Sequence, residues 1–432
     1  MSILINILAF LIAIFVLVLV HEFGHFWVAR KLGTKVERFS IGFGKPLLRW
    51  QGKSNIEYVI APILLGGYVK LNEESYQQKS VWRRMAIMLA GVTANILLAI
   101  LLFWLVFTIG MKVPKPIIGK VIPESIAYQA GLKTGDVIKN VDGRDVFDWQ
   151  GVTIAIISHM GDRNKLLING HYLNLNNWVI NELNPDPIMS LGIEPYYPSI
   201  PAVINKVMSD SPAKQIGLLP QDRILHINGQ KIVDWYDFIK YIHNHPDQKV
   251  KLTIERSGEP VILTGIIGSK LGFGLKKIGY LGVASLPVSW SKDMFNEQHY
   301  SPLQAFYPAL QRTWLLLNFN FVVLTKIITG KMSLHVLGGP ITIFSAAEVA
   351  FKQGIIIYTE FLALLSVMLA FINILPIPAL DGGNFVFLLL EAIIRRPIPI
   401  KIQTFALRLG MTILAILIFI AIGNDLLRIF TN

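Results

Sequence analysis

His21-Glu22-Phe23-Gly24-His25 is the stretch best suited to chemistry. Residues four apart share one face of an α-helix, so His21 and His25 can hold one metal ion together. Glu22 projects close by and can take a proton from an attacking water. A second stretch runs Asn373-Ile374-Leu375-Pro376-Ile377-Pro378-Ala379-Leu380-Asp381-Gly382-Gly383. Two prolines so close together cannot continue a regular helix, and they free backbone groups. At membrane depth, such backbone and a buried Asp are tolerated only where protein covers them or a cavity receives them. His21, His25 and Asp381 with one open position suit a catalytic zinc ion. Asn373 can donate to a developing oxyanion or can simply pack helices. A lone Asp beside Pro and Gly is commonly a turn residue, so its depth in the membrane has to decide. The other histidines, from His159 to His335, are scattered and read as surface residues.

The elements that must position these residues are apolar. Of 432 residues, 53% are hydrophobic and 16% charged, which suits a few membrane helices plus a sizeable soluble part. Residues 3–20 form an apolar run, broken only by Asn6, that leads straight into the histidine motif. The run lacks a basic leader and a small-residue cleavage site, so it reads as a retained first span, residues 1–30. Further spans are expected at 85–111, 355–380 and 403–427. Residues 302–352 read as a membrane-associated helical or loop region, because the uncharged stretch between Arg312 and Lys326 is short for a span. The net charge is +12. Basic residues gather between the first two apolar stretches, from Lys31 to Arg84, and again at Arg395, Arg396 and Lys401. The positive-inside rule makes both loops cytoplasmic. Four spans then place Asp381 at the cytoplasmic end of the third, at the depth of His21 and His25. A fifth span over 302–330 would put Arg395 on the wrong side. No DNA-binding motif accompanies the charge, so nucleic acid is not expected. The chain has no cysteine, which excludes disulfides, cysteine nucleophiles and thiolate metal sites.

Two soluble features complete the reading. Residues 34–72 look like β structure. Residues 47–51 and 55–61 flank a Gly52-Lys53-Ser54 turn as in a hairpin, and glycine-rich strands lie at 40–44 and 65–69. Residues 114–289 contain a repeat at an offset of 86. Lys120-Val121, Ser125, Ala127, Gly131-Leu132, Asp136, Gly143 and Asp148-Trp149 recur as Lys206-Val207, Ser211, Ala213, Gly217-Leu218, Asp222, Gly229 and Asp234-Trp235. The pattern resembles PDZ domains, at 114–200 and 201–289. The late Leu191-Gly192 and Leu281-Gly282 motifs are similar to their carboxylate-binding loop in circularly permuted bacterial forms. Such units can act as rigid spacers, or bind peptide C-termini by strand addition.

Taken together, the H-E-F-G-H motif, the tandem repeats and N-I-L-P-I-P-A-L-D-G-G resemble the site-2 protease family of intramembrane zinc metalloproteases. The resemblance covers nearly the whole chain. It implies a multi-pass α-helical membrane protein with four transmembrane helices, a membrane-reentrant β region and two PDZ domains. It implies His21, His25 and Asp381 as Zn2+ ligands and Glu22 as general base. Gly66, Gly67, Tyr68 and Val69 would belong to an edge strand that pairs with the unwound substrate. Asn384 stands where relatives often carry a His, a position outside the expected ligands. The implied setting is the bacterial inner membrane, with periplasmic PDZ domains and the active site near the cytoplasmic side. Implied substrates are single-span membrane proteins of the anti-sigma factor type, already cut outside, and remnant signal peptides. Two other classes predict different residues. A metal-handling membrane protein predicts further ligands along the spans, and the spans offer few. An inactive PDZ scaffold predicts loss of Glu22 or Asp381, and both are present.

Overall fold

The computed structural model describes all residues except 1, 53, 160–164, 177, 179–185, 272–276, 288–290 and 432. The chain opens with helix α1, Ser2–Lys31, whose apolar run leaves no alternative backbone partners in hydrocarbon but its own. Four strands follow: β1 (Val36–Phe43), β2 (Leu48–Gln51), β3 (Glu57–Ile60) and β4 (Ile63–Leu71). They form one sheet in the order β2-β3-β1-β4. β2 and β3 make the antiparallel hairpin, β1 runs parallel to β3, and β4 runs antiparallel to β1. Among the described residues β4 is therefore an edge strand. Gly42, at φ 88°, marks a register shift between β1 and β4, and a Cβ there would lie 2.5 Å from the Ala61 carbonyl oxygen.

A short helix α2 (Glu73–Gln77), capped by Asn72, leads into the long helix α3, Val81–Ile109. α3 is the central post. Against it pack α1 and three later helices: α4 (Pro302–Ile328), α6 (Ile355–Ile374) and α7 (Asp381–Ile394). α3, α4 and α6 share a core that includes Ala99, Phe103, Val106, Ala305, Ala309 and Ala363. The small residues let backbones approach, as membrane helices require. α5 (Pro340–Gln353) packs on α1 and α6, and the last helix, α8, spans Ile400–Thr431.

Between α3 and α4 lie two separate cores. One gathers Ile118, Val152, Ile156, Leu166 and Leu191; the other Ile204, Phe238, Leu252, Ile254 and Leu281. The 86-residue repeat is visible as repeated hydrogen bonding. Asp148 and Asp234 each cap a helix, accepting from Gly151 N at 2.6 Å and from Asp237 N at 2.9 Å. Asp136 and Asp222 each close a turn, on Lys133 N at 2.8 Å and Leu219 N at 2.7 Å. The soluble stretch leaves and rejoins the helices side by side, because Met111–Pro114 pairs antiparallel with Phe295–Gln298.

Among the described residues, five helical stretches are long and apolar enough to cross a membrane: Ile5–Lys31, Val81–Ile109, Leu334–Gln353, Ile355–Ile374 and Ile400–Arg428, the third of them a short 3-10 turn followed by α5. That is one more than the four expected, and the addition falls within residues 302–352. α4 is also a continuous helix of 27 residues, not a short stretch. The third expected span stops at Ile374 instead of Leu380. Pro376 and Pro378 supply no N–H, so the chain turns over residues 375–380 before α7 begins at Asp381.

Candidate metal centre

α1 delivers His21 and His25 from successive turns of one face, toward α3. α7 delivers Asp381 from its first residue. Asp381 Oδ2 lies 3.1 Å from Nε2 of His21 and 3.1 Å from Nε2 of His25, and the two Nε2 atoms are 3.3 Å apart. Both histidines and Glu22 are buried, and Asp381 is half-buried.

The far sides of the two rings decide what the near sides can do. His25 Nδ1–H donates to the Ile87 carbonyl of α3 at 2.7 Å, which leaves Nε2 bare in a neutral ring. His21 Nδ1 lies 3.2 Å from the Asn95 amide nitrogen, while Asn95 Oδ1 is buried without a hydrogen-bond partner among the described residues. Exchanging the two amide atoms lets Oδ1 accept the Nδ1 proton of His21. Nε2 of His21 is then bare as well. Two bare imidazole nitrogens and a carboxylate oxygen, converging without protons between them, are three acceptors that a divalent cation satisfies. The donor set fits zinc, and nothing else among the described residues forms such a group.

Glycines make the cluster possible. A Cβ on Gly91 of α3 would stand 2.3 Å from His25 Nε2 and 2.8 Å from His21 Nε2. A Cβ on Gly24 would meet the Ala90 carbonyl oxygen at 2.4 Å, so α1 and α3 touch backbone to backbone. Gly382 and Gly383 press on the Ile374 and Ile377 carbonyl oxygens, at 2.2 and 2.3 Å from their would-be Cβ atoms. That contact folds the start of α7 back against the proline turn.

The β sheet reaches the same place. A Cβ on Gly67 of β4 would lie 2.8 Å from Glu22 Cγ and 2.6 Å from the Ser40 carbonyl oxygen. Tyr68 stacks on Phe43 with ring centroids 6.2 Å apart and accepts from Arg38 Nη1 at 2.9 Å. Gly66 lies against the Phe43 ring, and Val69 packs on the core that α1 shares with β1. Asn373 is not brought to the cluster by any hydrogen bond among the described residues. Its amide donates to Leu369 O at 3.1 Å within its own helix.

No sequence motif singles out Gly91 or Asn95. Ile87 is not singled out either, and Arg84 enters only as one of the basic residues that set the topology. Arg84, buried, pairs with Glu391 of α7 and so ties the Asp381 helix to α3. The signal was there: Arg84, Ile87, Gly91 and Asn95 recur every three or four residues and so line one face of α3.

A model of peptidase family M50 matches residues 9–417. The Yersinia pestis protein "Protease RseP" is 39% identical over 450 residues, covering 99% of this chain and 100% of its own length. The Escherichia coli K12 "Regulator of sigma-E protease RseP" is 38% identical with the same coverage. A Vibrio cholerae protein that carries a zinc-metalloprotease name is 37% identical over 446 residues, 98% of this chain and 99% of its own. A histidine pair and a distant Asp meeting among apolar helices agree with matches that run almost end to end, and the chain belongs to peptidase family M50.

Proposed function

We propose that the chain is a zinc metallo-endopeptidase that cuts single-span membrane proteins within the membrane, after a prior cut outside. The observation that carries this is the meeting of His21, His25 and Asp381 beside Glu22 and the β4 edge. In this reading His21, His25 and Asp381 hold the zinc ion. When bound, zinc polarises the scissile carbonyl and lowers the pKa of a water. Glu22 takes the water's proton and returns it to the leaving amine. A helical substrate hides its peptide bonds in internal hydrogen bonds, so it must unwind. Its extended backbone regains partners on the open edge of β4, at Gly66, Gly67, Tyr68 and Val69. Asn373 could offer its second amide hydrogen to the oxyanion.

The topology belongs to the same proposal. Four helices span the membrane, and α5 does not: at 14 residues it reaches about 21 Å, short of a hydrocarbon core of about 30 Å. The basic loops then lie in the cytoplasm, and the two repeats outside the inner membrane. The repeats are circularly permuted PDZ domains that screen out bulky external domains or take peptide C-termini. The substrates are of the anti-sigma factor type, with remnant signal peptides as a further group.

The test is Glu22→Gln, with cleavage of a membrane substrate and zinc content both measured. Cleavage is expected to vanish while zinc is retained; unchanged cleavage would overturn the proposal. Deletion of residues 114–289 tests the screen. Untrimmed substrates should then be cut, and their continued protection would remove the filter role.

A further inference from the structure

α8 is the most exposed of the long helices, yet its backbone presses on the rest of the molecule at two points. The first is Gly410, which is buried. A Cβ there would lie 1.8 Å from the Pro378 carbonyl oxygen and 2.6 Å from its carbonyl carbon. The second lies about 16 Å further along the axis. There Gly339 meets the Ala421 carbonyl oxygen, at 2.7 Å from its would-be Cβ.

The second point is clamped. The buried Asp425 carboxylate of α8 accepts from Gly339 N at 2.9 Å, Ile341 N at 2.9 Å and Thr342 N at 3.1 Å, and from the Thr342 hydroxyl. It caps α5 from a different helix, satisfying N–H groups that α5 cannot satisfy itself. Asn424 donates to Leu334 O at 2.8 Å and Leu337 O at 3.2 Å, and Arg428 to His335 O at 2.6 Å. A helix held this firmly at one end can bear on something at its middle.

What it bears on is the turn that carries Asp381. Pro378 lies three residues before it. The turn has no slack: Ile377 N donates to Leu375 O at 2.7 Å, Leu380 N to Ile377 O at 2.9 Å, and Gly382 and Gly383 already touch its carbonyls. A displacement of Pro378 must therefore pass to Asp381. We propose that α8 is a strut that positions the Asp381 carboxylate, with Gly410 as the positioning residue acting through the Pro378 peptide. This rests on the metal reading of His21, His25 and Asp381. A Cβ at position 410 has to move the turn or the helix by roughly 1.5 Å to reach ordinary contact distance. A metal site holds its ligand distances to about 0.2 Å. Gly423 on the same helix is the natural control, since a Cβ there meets nothing within 4 Å.

The experiment compares full-length wild type, Gly410→Ala and Gly423→Ala in detergent, with zinc affinity read by chelator competition and folding by thermal unfolding. Gly410→Ala should weaken zinc binding by about tenfold or more, the size of an outer-shell loss, while Gly423→Ala stays within about twofold. Asp425→Asn, which loosens the clamp far from the turn, should weaken zinc in the same direction, and it decides the matter should Gly410→Ala fail to fold. Zinc affinity equal to wild type in folded Gly410→Ala, or in folded Asp425→Asn where only that variant folds, overturns the strut. A wild type that takes up no zinc instead overturns the metal reading.

Discussion

At the scale of single residues, the site depends on side chains that are missing as much as on those present. Gly91 leaves the space into which both Nε2 atoms point. Gly91→Ala puts a methyl group where the cation would sit. The expected outcome is loss of zinc in chelator competition, with α-helical content unchanged by circular dichroism. Asn95 works from the other side of His21. Its backbone carbonyl accepts from Ser366 Oγ at 2.7 Å, which ties this turn of α3 to α6. Outer-shell partners of this kind orient the ring and set its tautomer. Asn95→Leu is expected to weaken zinc binding about 10–100-fold, checked by the same competition. Ala379, at φ 151°, holds a conformation L-residues rarely adopt, two residues before Asp381.

At the scale of elements, α3 and the β1–β4 sheet divide the work. α3 presents Ile87 O and Asn95 to the two histidines, and Arg84 to the helix of Asp381. The Arg84–Glu391 pair is shielded, and Arg84 also donates to Gln77 at 3.1 Å and lies over the Tyr76 ring. Burial in this small cluster pushes the Tyr76 hydroxyl up to about 12, so it stays neutral at ordinary pH. Arg84→Met strands the half-buried Glu391 carboxylate and should cost up to about 3 kcal/mol, read as a lower unfolding temperature. Pairing it with Glu391→Leu should recover most of that loss, because removing both charges leaves nothing uncompensated. β4 is the other working element. Gly67→Ala places a methyl between Glu22 and the Ser40 carbonyl, so either Glu22 or the strand must move. Cleavage is expected to fall about a hundredfold with zinc retained, since misplacement of about 1 Å has that effect.

For the whole molecule, the question is how the two soluble units are held against the helices. The Met111–Pro114 and Phe295–Gln298 strands form one tie. Arg312 of α4 forms another. It hydrogen-bonds Gln150 of the first unit and lies 3.7 Å from both Asp148 Oδ2 and Glu360 Oε1 of α6. Arg312→Ala leaves Asp148 and Glu360 without their shared cation. Amide hydrogen exchange is expected to quicken at the start of the Trp149–Ser158 helix, with zinc affinity unchanged. Unchanged exchange there would show that Arg312 does not carry the junction.

The metal-site motif was legible in the sequence because its spacing is helical. His21 and His25 share a face whatever surrounds them, and a proline-broken stretch ending in Asp381 needs a polar purpose at membrane depth. The repeat was legible because its turn residues recur at one offset, and the hairpin because glycine and alternation mark it. The rest depends on contacts between residues far apart in the chain. Only the folded molecule brings Asp381 to the histidines from 356 residues away. Only there does Gly91 become the space between two rings and Gly67 the neighbour of Glu22. The span after Ile355 was drawn too long because hydropathy continues through Leu375–Leu380, where proline ends the hydrogen-bond ladder. Local sequence determined which groups could do chemistry. The tertiary structure decided which of them meet, because three side chains on two distant helices converge only once a third helix holds both.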